Sequence, residues 1–302
     1  MPLDVQIEIE ASTPLRFDDG DPVRAASAVV AYGDGWLVVQ DDATHGAWVR
    51  PLTTTRVRLL PAVEGLEVFS SEAGTKHLKP DLEAACAVTV DGTPAVLLLG
   101  SGSTAARTRC CLLAGGRAVA ADLPELYAEV AAALELPPGT LNLEGACVVG
   151  DRLRWFARGG AGTPSASVDV ALPDLLALVA GSGGRPALSD VRRYDLGAPG
   201  GVDLQITDAV TLADGRVLVC AAAEDTPDPV ADGPVGAAAL ALLDGERVLV
   251  VDDLPPLFGE VQKVEGLALR AEDGSDVRLV SVVDADDAAA ASMRLDLRVR
   301  LG

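Results

Sequence analysis

Three glutamates, Glu83, Glu144 and Glu265, each open a short apolar stretch and fall on a spacing of about sixty residues or twice that. Carboxylates presented at matching places can act as general acids and bases, or hold a hard cation through oxygen. The same spacing puts Thr207-Asp208 at a fourth such place and Ala25 to Ser27 at a fifth. A second set of polar residues follows each apolar hairpin: Asp41-Asp42, Ser101-Gly102-Ser103, Arg158, Glu224-Asp225 and Asp284-Ala285-Asp286. Lys79, Arg107, Asn142, Gln205 and Lys263 lie just outside these two sets.

Each group has a chemical reading. Glu83, Glu144 and Glu265 are the candidate acid–base residues. Asp208, Glu224, Asp284 and Asp286 are candidate ligands for calcium, which takes six to eight oxygens and needs neither His nor Cys. Lys79, Ser101, Ser103, Arg107, Asn142, Arg158 and Lys263 are candidate ligand-binding groups, with Arg107 and Arg158 placed to orient an anionic moiety. The competing reading is that the carboxylates pair with these same Lys and Arg side chains and serve the fold alone. A zinc site is excluded by the two histidines, His45 and His77, which stand far apart. No Gly-x-Ser-x-Gly motif occurs, and Ser101 to Thr104 has no nearby histidine, which argues against serine hydrolysis. Gly159 to Gly162 and Gly181 to Gly184 precede no phosphate-binding helix and read as inter-strand loops.

The elements that must position these residues repeat with them. Five segments share a short apolar strand, a tight turn often written Asp-Gly, a second strand and a polar cluster; they begin near Ala25, Glu83, Glu144, Asp208 and Glu265. Asp-Gly between apolar runs is a strong hairpin signal. In the fourth unit it separates strands predicted at 209–212, 217–221, 238–243 and 247–251; the third unit gives strands at 153–157, 166–170 and 191–194. A unit of this kind cannot bury its own faces, so the repeat predicts a radial array of sheets, an all-β propeller. The last unit supplies 277–283 and 293–299 and lacks an outer strand, which residues 5–10 (VQIEIE) can provide. The expectation is one domain over residues 1–302, with five four-stranded blades closed by the N-terminal strand. Six blades is the alternative, with a degraded blade in 46–79. In such a ring the starts of first strands and the ends of second strands emerge on one face, so the two polar sets should meet at one mouth of the central channel.

Short helical inserts are expected between blades. Asp122-Leu-Pro-Glu-Leu-Tyr matches Asp253-Leu-Pro-Pro-Leu-Phe, with Asp as the helix cap and Pro in the first turn. The first should run as a helix over 125–136, and 172–180 reads as another.

Composition narrows the partners. A net charge of −21 argues against nucleic acid or an anionic membrane surface. No stretch approaches the ~18 apolar residues of a spanning helix, and the N-terminus lacks a secretion-signal pattern. Five cysteines with no Cys-x-x-Cys spacing read as reduced core residues of a cytoplasmic protein. A monomer with a small-molecule or protein ligand at the mouth is the expected state.

Several strings together carry a resemblance: Lys79-Pro-Asp-Leu-Glu-Ala84, Gly100-Ser-Gly-Ser103, Asn142-Leu-Glu-Gly145, Gln205-Ile-Thr-Asp208, Ala222-Ala-Glu-Asp225 and Lys263-Val-Glu-Gly266. They look like those of a bacterial β-propeller family whose members are largely uncharacterised. That family is similar to propellers described as phytase-like or esterase-like, and the resemblance extends from about Ala25 to Asp287. It implies the propeller fold and leaves open a calcium-dependent hydrolase of a small ester, lactone or phosphoester. A phytate site needs a dense Lys and Arg cluster, whereas Lys79, Arg107, Arg158 and Lys263 are the cations near this mouth, so phytase activity is not carried over.

Overall fold

Each repeat folds into an antiparallel sheet of four strands, and the computed structural model describes residues 5–160, 162–226, 233–285 and 290–302. Blade 1 is β2 (Ala26–Tyr32), β3 (Gly35–Gln40), β4 (His45–Val49) and β5 (Thr54–Arg58). Blade 2 is β6 (Leu82–Val90), β7 (Thr93–Gly100), β8 (Arg109–Ala114) and β9 (Arg117–Asp122). Blade 3 is β10 (Leu143–Val149), β11 (Arg152–Ala157), β12 (Ser165–Ala171) and β13 (Leu188–Tyr194). Blade 4 is β14 (Gln205–Thr211), β15 (Val217–Glu224), β16 (Val235–Asp244) and β17 (Arg247–Asp253). Blade 5 is β18 (Val264–Asp273), β19 (Asp276–Val283) and β20 (Met293–Leu301), completed by β1 (Val5–Pro14) from the other end of the chain.

The five-bladed count therefore holds and the six-bladed alternative falls, because 46–79 divides between β4, β5 and an irregular connector. β1 pairs antiparallel with β20 from Val5 opposite Leu301 to Pro14 opposite Met293. Closing the ring this way pairs a sheet edge that would otherwise be open. Hairpin chemistry follows the sequence: in blade 2, Asp91 and Gly92 both take positive φ, 48° and 76°, as a type I′ turn demands.

The inner strands β2, β6, β10, β14 and β18 contact one another in a closed ring around the axis. Space there is tight. A Cβ on Gly145 would lie 2.7 Å from Asp208 Cα, and one on Gly266 would lie 2.7 Å from the Val29 amide nitrogen. Glycine at these places lets neighbouring inner strands approach. Between blades, Ala, Val and Leu fill the core, with Tyr127 edge-on to Trp155 at 4.9 Å. All five cysteines are buried and free.

Two helices are present among the described residues, α1 (Pro124–Ala133) and α2 (Leu172–Val179). Asp122 does not cap α1; its carboxylate pairs with Arg109 Nε at 2.7 Å. The matching segment after β17 is not helical. Pro255-Pro256 and Gly259 leave no run of helix formers, and Leu257 to Glu260 close a tight turn instead. No described helix is long and apolar enough to cross a membrane.

Candidate functional site at the channel mouth

Every inner strand slips its pairing register near its start, and β18 slips again between Leu269 and Ala271. The first breaks fall between Ala26 and Ala28, Leu82 and Ala84, Leu143 and Gly145, Ile206 and Asp208, and Val264 and Gly266. The skipped residues are Ser27, Glu83, Glu144, Thr207 and Glu265. A β-bulge leaves its extra residue outside the ladder and re-aims the side chain. The three glutamates named from the sequence thus share one structural device, and Ser27, Glu83, Glu144 and Glu265 line a single cavity of about 340 Å³. The hydroxyls at the other two bulges tie blades together: Ser27 Oγ donates to Leu82 O and Thr207 Oγ1 to Val264 O, both at 2.6 Å.

Lys79, Arg107, Asn142, Arg158, Lys263 and Asp284 also line this cavity, together with Asp41, Asp81, Lys76, His77, Ala25 and Ala26. Asp81 is the residue sequence reasoning missed. It lies two positions before Glu83, is 3% exposed, and takes a left-handed φ of 56°. Around it gather Lys79 at 2.6 Å, Arg107 at 3.0 Å and the Ser101 hydroxyl, which donates to its carboxylate. Ser103 accepts from Arg107 Nη1 at 2.9 Å. Ser101 and Ser103 therefore stand behind Asp81 rather than on the cavity wall. The signal for Asp81 was the Lys79-Pro80-Asp81 string itself, in which a carboxylate follows a lysine across a rigid proline.

Two further ion-pair systems hold the opposite wall. Arg158 Nη1 lies 3.0 Å from Glu144 Oε1 and its Nη2 2.8 Å from Glu224 Oε1. Lys263 Nζ reaches Glu224 Oε1 at 2.8 Å and Glu265 Oε1 at 2.6 Å. Asn142 Nδ2 donates to Glu144 Oε1 at 2.8 Å. Glu224 is committed to these cations and to the Gly233 amide, and it faces a smaller recess beside the mouth.

Asp208 lies one residue past the bulge in β14, where the other blades carry Ala28, Ala84, Gly145 and Gly266. One step along a strand reverses the face. Its carboxyl turns away from the cavity and accepts backbone amides from two neighbouring blades, Leu267 N at 2.7 Å and Ala146 N at 3.4 Å. Asp284 Oδ1 accepts from Ser292 Oγ at 3.1 Å at the cavity edge. Asp286 lies outside the described residues.

The electrostatics follow from burial among these pairs. Burial, reinforced by Asp81 and Asp41, pushes the Glu83 carboxyl well above the ordinary range. Burial against the pull of Lys263 raises Glu265 to about 8. Burial outweighs Arg158 and Lys263 and raises Glu144. Burial would raise Asp81 too, but Lys79 and Arg107 prevail and hold it low. Burial would lower the Lys79 ammonium, yet Asp41, Asp81 and Glu83 prevail and hold it high. The mouth is thus a mixed lattice of paired charges, less acidic than its carboxylate count suggests.

A model of the family of unknown function DUF6910 matches residues 75–288. The chain belongs to this family. The matched span begins in the connector bearing Lys76 and Lys79 and extends past Asp284, so it holds most of the mouth. No curated protein matches the sequence. Among solved structures, the glutaminyl cyclase of Myxococcus xanthus is similar over 100% of both chains, at 12% identity and a TM-score of 0.52. A luciferin-regenerating enzyme aligns over 98% of this chain and 95% of its own at 8% identity and a TM-score of 0.48. An exo-1,5-alpha-L-arabinanase from a bovine ruminal metagenomic library aligns over 95% and 99% at 9% identity and 0.46. At 12% identity the likeness to the glutaminyl cyclase speaks for the fold alone.

Proposed function

We propose that this DUF6910 member binds a small molecule at the channel mouth. The convergence of three bulge-borne glutamates on one cavity carries this reading. Its volume of about 340 Å³ falls in the range of small-molecule pockets. The paired charges around Asp81, Glu144 and Glu265 pre-organise the walls, so little ordering remains to be done on binding. Equilibration of the protein with a metabolite extract, followed by mass spectrometry of what it retains, tests the reading. Enrichment of a compound by the wild type and its loss in Glu83→Ala is the expected result. No enrichment, or enrichment unchanged in the variant, counts against it.

One observation favours a second reading, a calcium-dependent hydrolase of a small ester, lactone or phosphoester. Carboxylate oxygens of Asp41, Asp81 and Glu83 lie within 4.8 Å of one another. A divalent cation held there would polarise an ester oxygen and activate water, with Glu144 as the base. Lys79 reaches into the same cluster and would have to yield to the ion. A calcium-selective rise in melting temperature, with magnesium as control, supports this reading; equal response to both ions, or none, removes it.

A further inference from the structure

We propose that the ligand is an uncharged, polyhydroxylated molecule of roughly sugar size, hydrogen-bonded by Glu83, Glu144 and Glu265. The inference rests on reading the mouth as a small-molecule site and names the class of molecule it takes.

Charge balance comes first. Lys79 is shared between Asp41 and Asp81, Arg158 between Glu144 and Glu224, and Lys263 between Glu224 and Glu265. An anionic ligand that reaches past the exposed Lys76 and His77 at the rim must draw a buried cation away from the carboxylates that hold it. A cationic ligand meets an ammonium group already set among the carboxylates on one wall, and a guanidinium and a second ammonium on the other. Breaking a buried pair to admit either leaves an uncompensated charge, which is strongly unfavourable.

The unused hydrogen-bonding capacity is of a different kind. Glu83 makes no hydrogen bond or ion pair to any described residue, although its bulge aims it into the cavity. Glu144 is 8% exposed, and its Oε2 is buried without a hydrogen-bond partner while Oε1 takes both Asn142 and Arg158. A buried, unpartnered oxygen such as Glu144 Oε2 calls for a partner. Both carboxyl oxygens of Glu83 are open to a hydrogen bond from the cavity. A hydroxyl is the complementary group, since it donates to a carboxyl oxygen without bringing a charge, and adjacent hydroxyls match the two oxygens of a carboxyl group. Apolar lining is confined to Ala25 and Ala26, which leaves little for an aliphatic or aromatic ligand to cover.

The test is titration calorimetry of the full chain with glucose, galactose, xylose and myo-inositol. Phosphate, putrescine and calcium are run in parallel as charged probes. Binding of at least one polyol is expected, weakened at least about tenfold by Glu83→Ala, which removes two oxygens from the wall, and by Glu144→Gln, which exchanges an acceptor oxygen for an amide donor. Glu83→Gln, close in shape, guards against a variant that fails to fold, and each variant's melting curve is recorded. Binding of a charged probe that Glu83→Ala abolishes, with no polyol bound, overturns the ligand class and leaves the mouth a site. No binding by any probe, or polyol binding indifferent to both substitutions, overturns the class and the site together.

Discussion

Asp208 Oδ2 accepts the backbone amide of Leu267 at 2.7 Å, so a side chain of blade 4 completes the hydrogen bonding of blade 5 beside the axis. Its Oδ1 does the same for Ala146 of blade 3. One carboxyl group thus joins three consecutive blades, in a place where the other blades carry only Ala or Gly. Burial raises this carboxyl well above the ordinary range, and the backbone donors oppose that only in part.

Replacing Asp208 by Ala strands both amides in a dry interior. The expected loss is about 2 kcal/mol in urea unfolding, the cost of orphaned buried donors. Asp208→Asn keeps an acceptor oxygen and should lose less than half as much. Equal losses for the two would show that the hydrogen bonds are not what the residue supplies.

Gly145→Ala should also destabilise, because the new methyl would sit 2.7 Å from Asp208 Cα and force adjacent inner strands apart. A loss of about 1–3 kcal/mol is expected from overpacking. Gly236→Ala is the control, since its nearest neighbour, Ala223 O, lies 3.9 Å away. Melting temperatures of the two variants decide the matter; similar values would contradict the tight axis.

Glu224 holds Arg158 and Lys263 together at 2.8 Å each, with its side chain almost wholly buried. Glu224→Gln leaves two cations short of one buried counter-charge and should cost about 3 kcal/mol. Adding Lys263→Met to it should cost less than the sum of the single losses, because the second change removes a charge the first left unpaired. A strictly additive double-mutant cycle would dissolve the network.

The pH dependence has a definite sign. Glu265 is faced by Lys263, Glu144 and Arg158, and it titrates near 8 in the folded chain against an ordinary value of 4.5. The folded state therefore binds the proton more tightly than the unfolded state. The stability this contributes is complete below pH 4.5 and is lost as pH rises to about 8. The melting temperature of the wild type relative to Glu265→Gln should accordingly fall between pH 5 and pH 9. A difference that stays constant or grows over that range would contradict the raised value.

Much of the mouth could be read in advance, for a specific reason. Glu83, Glu144 and Glu265 recur because each blade reuses one bulge, and a repeating fold writes its geometry into the spacing of its residues. Asp41, Ser101, Arg158 and Asp284 follow their second strands, and Glu224 ends its own, in the same way. Thr207 and Asp208 show where such reading stops. They are neighbours in the chain, yet the bulge lies at Thr207, so Asp208 turns from the channel into the seam between blades. A slip of one residue is invisible to a period of sixty and reverses the face of everything beyond it. The matched connectors Asp122 to Val130 and Asp253 to Val261 show a similar limit, since a second proline and Gly259 outweighed their common start.

The sequence alone determined a ring of β-sheets, its closure by the N-terminal strand, and the face on which polar residues gather, because these depend on periodicity and hairpin chemistry along the chain. Only the tertiary structure decided which charges meet: that Lys79 turns to Asp41 and Asp81, that Glu224 takes two cations, and that Glu83 forms no ion pair with any described residue. Coulomb energy and desolvation depend on distances of a few ångströms across blades far apart in sequence. Those distances exist only once the ring has closed.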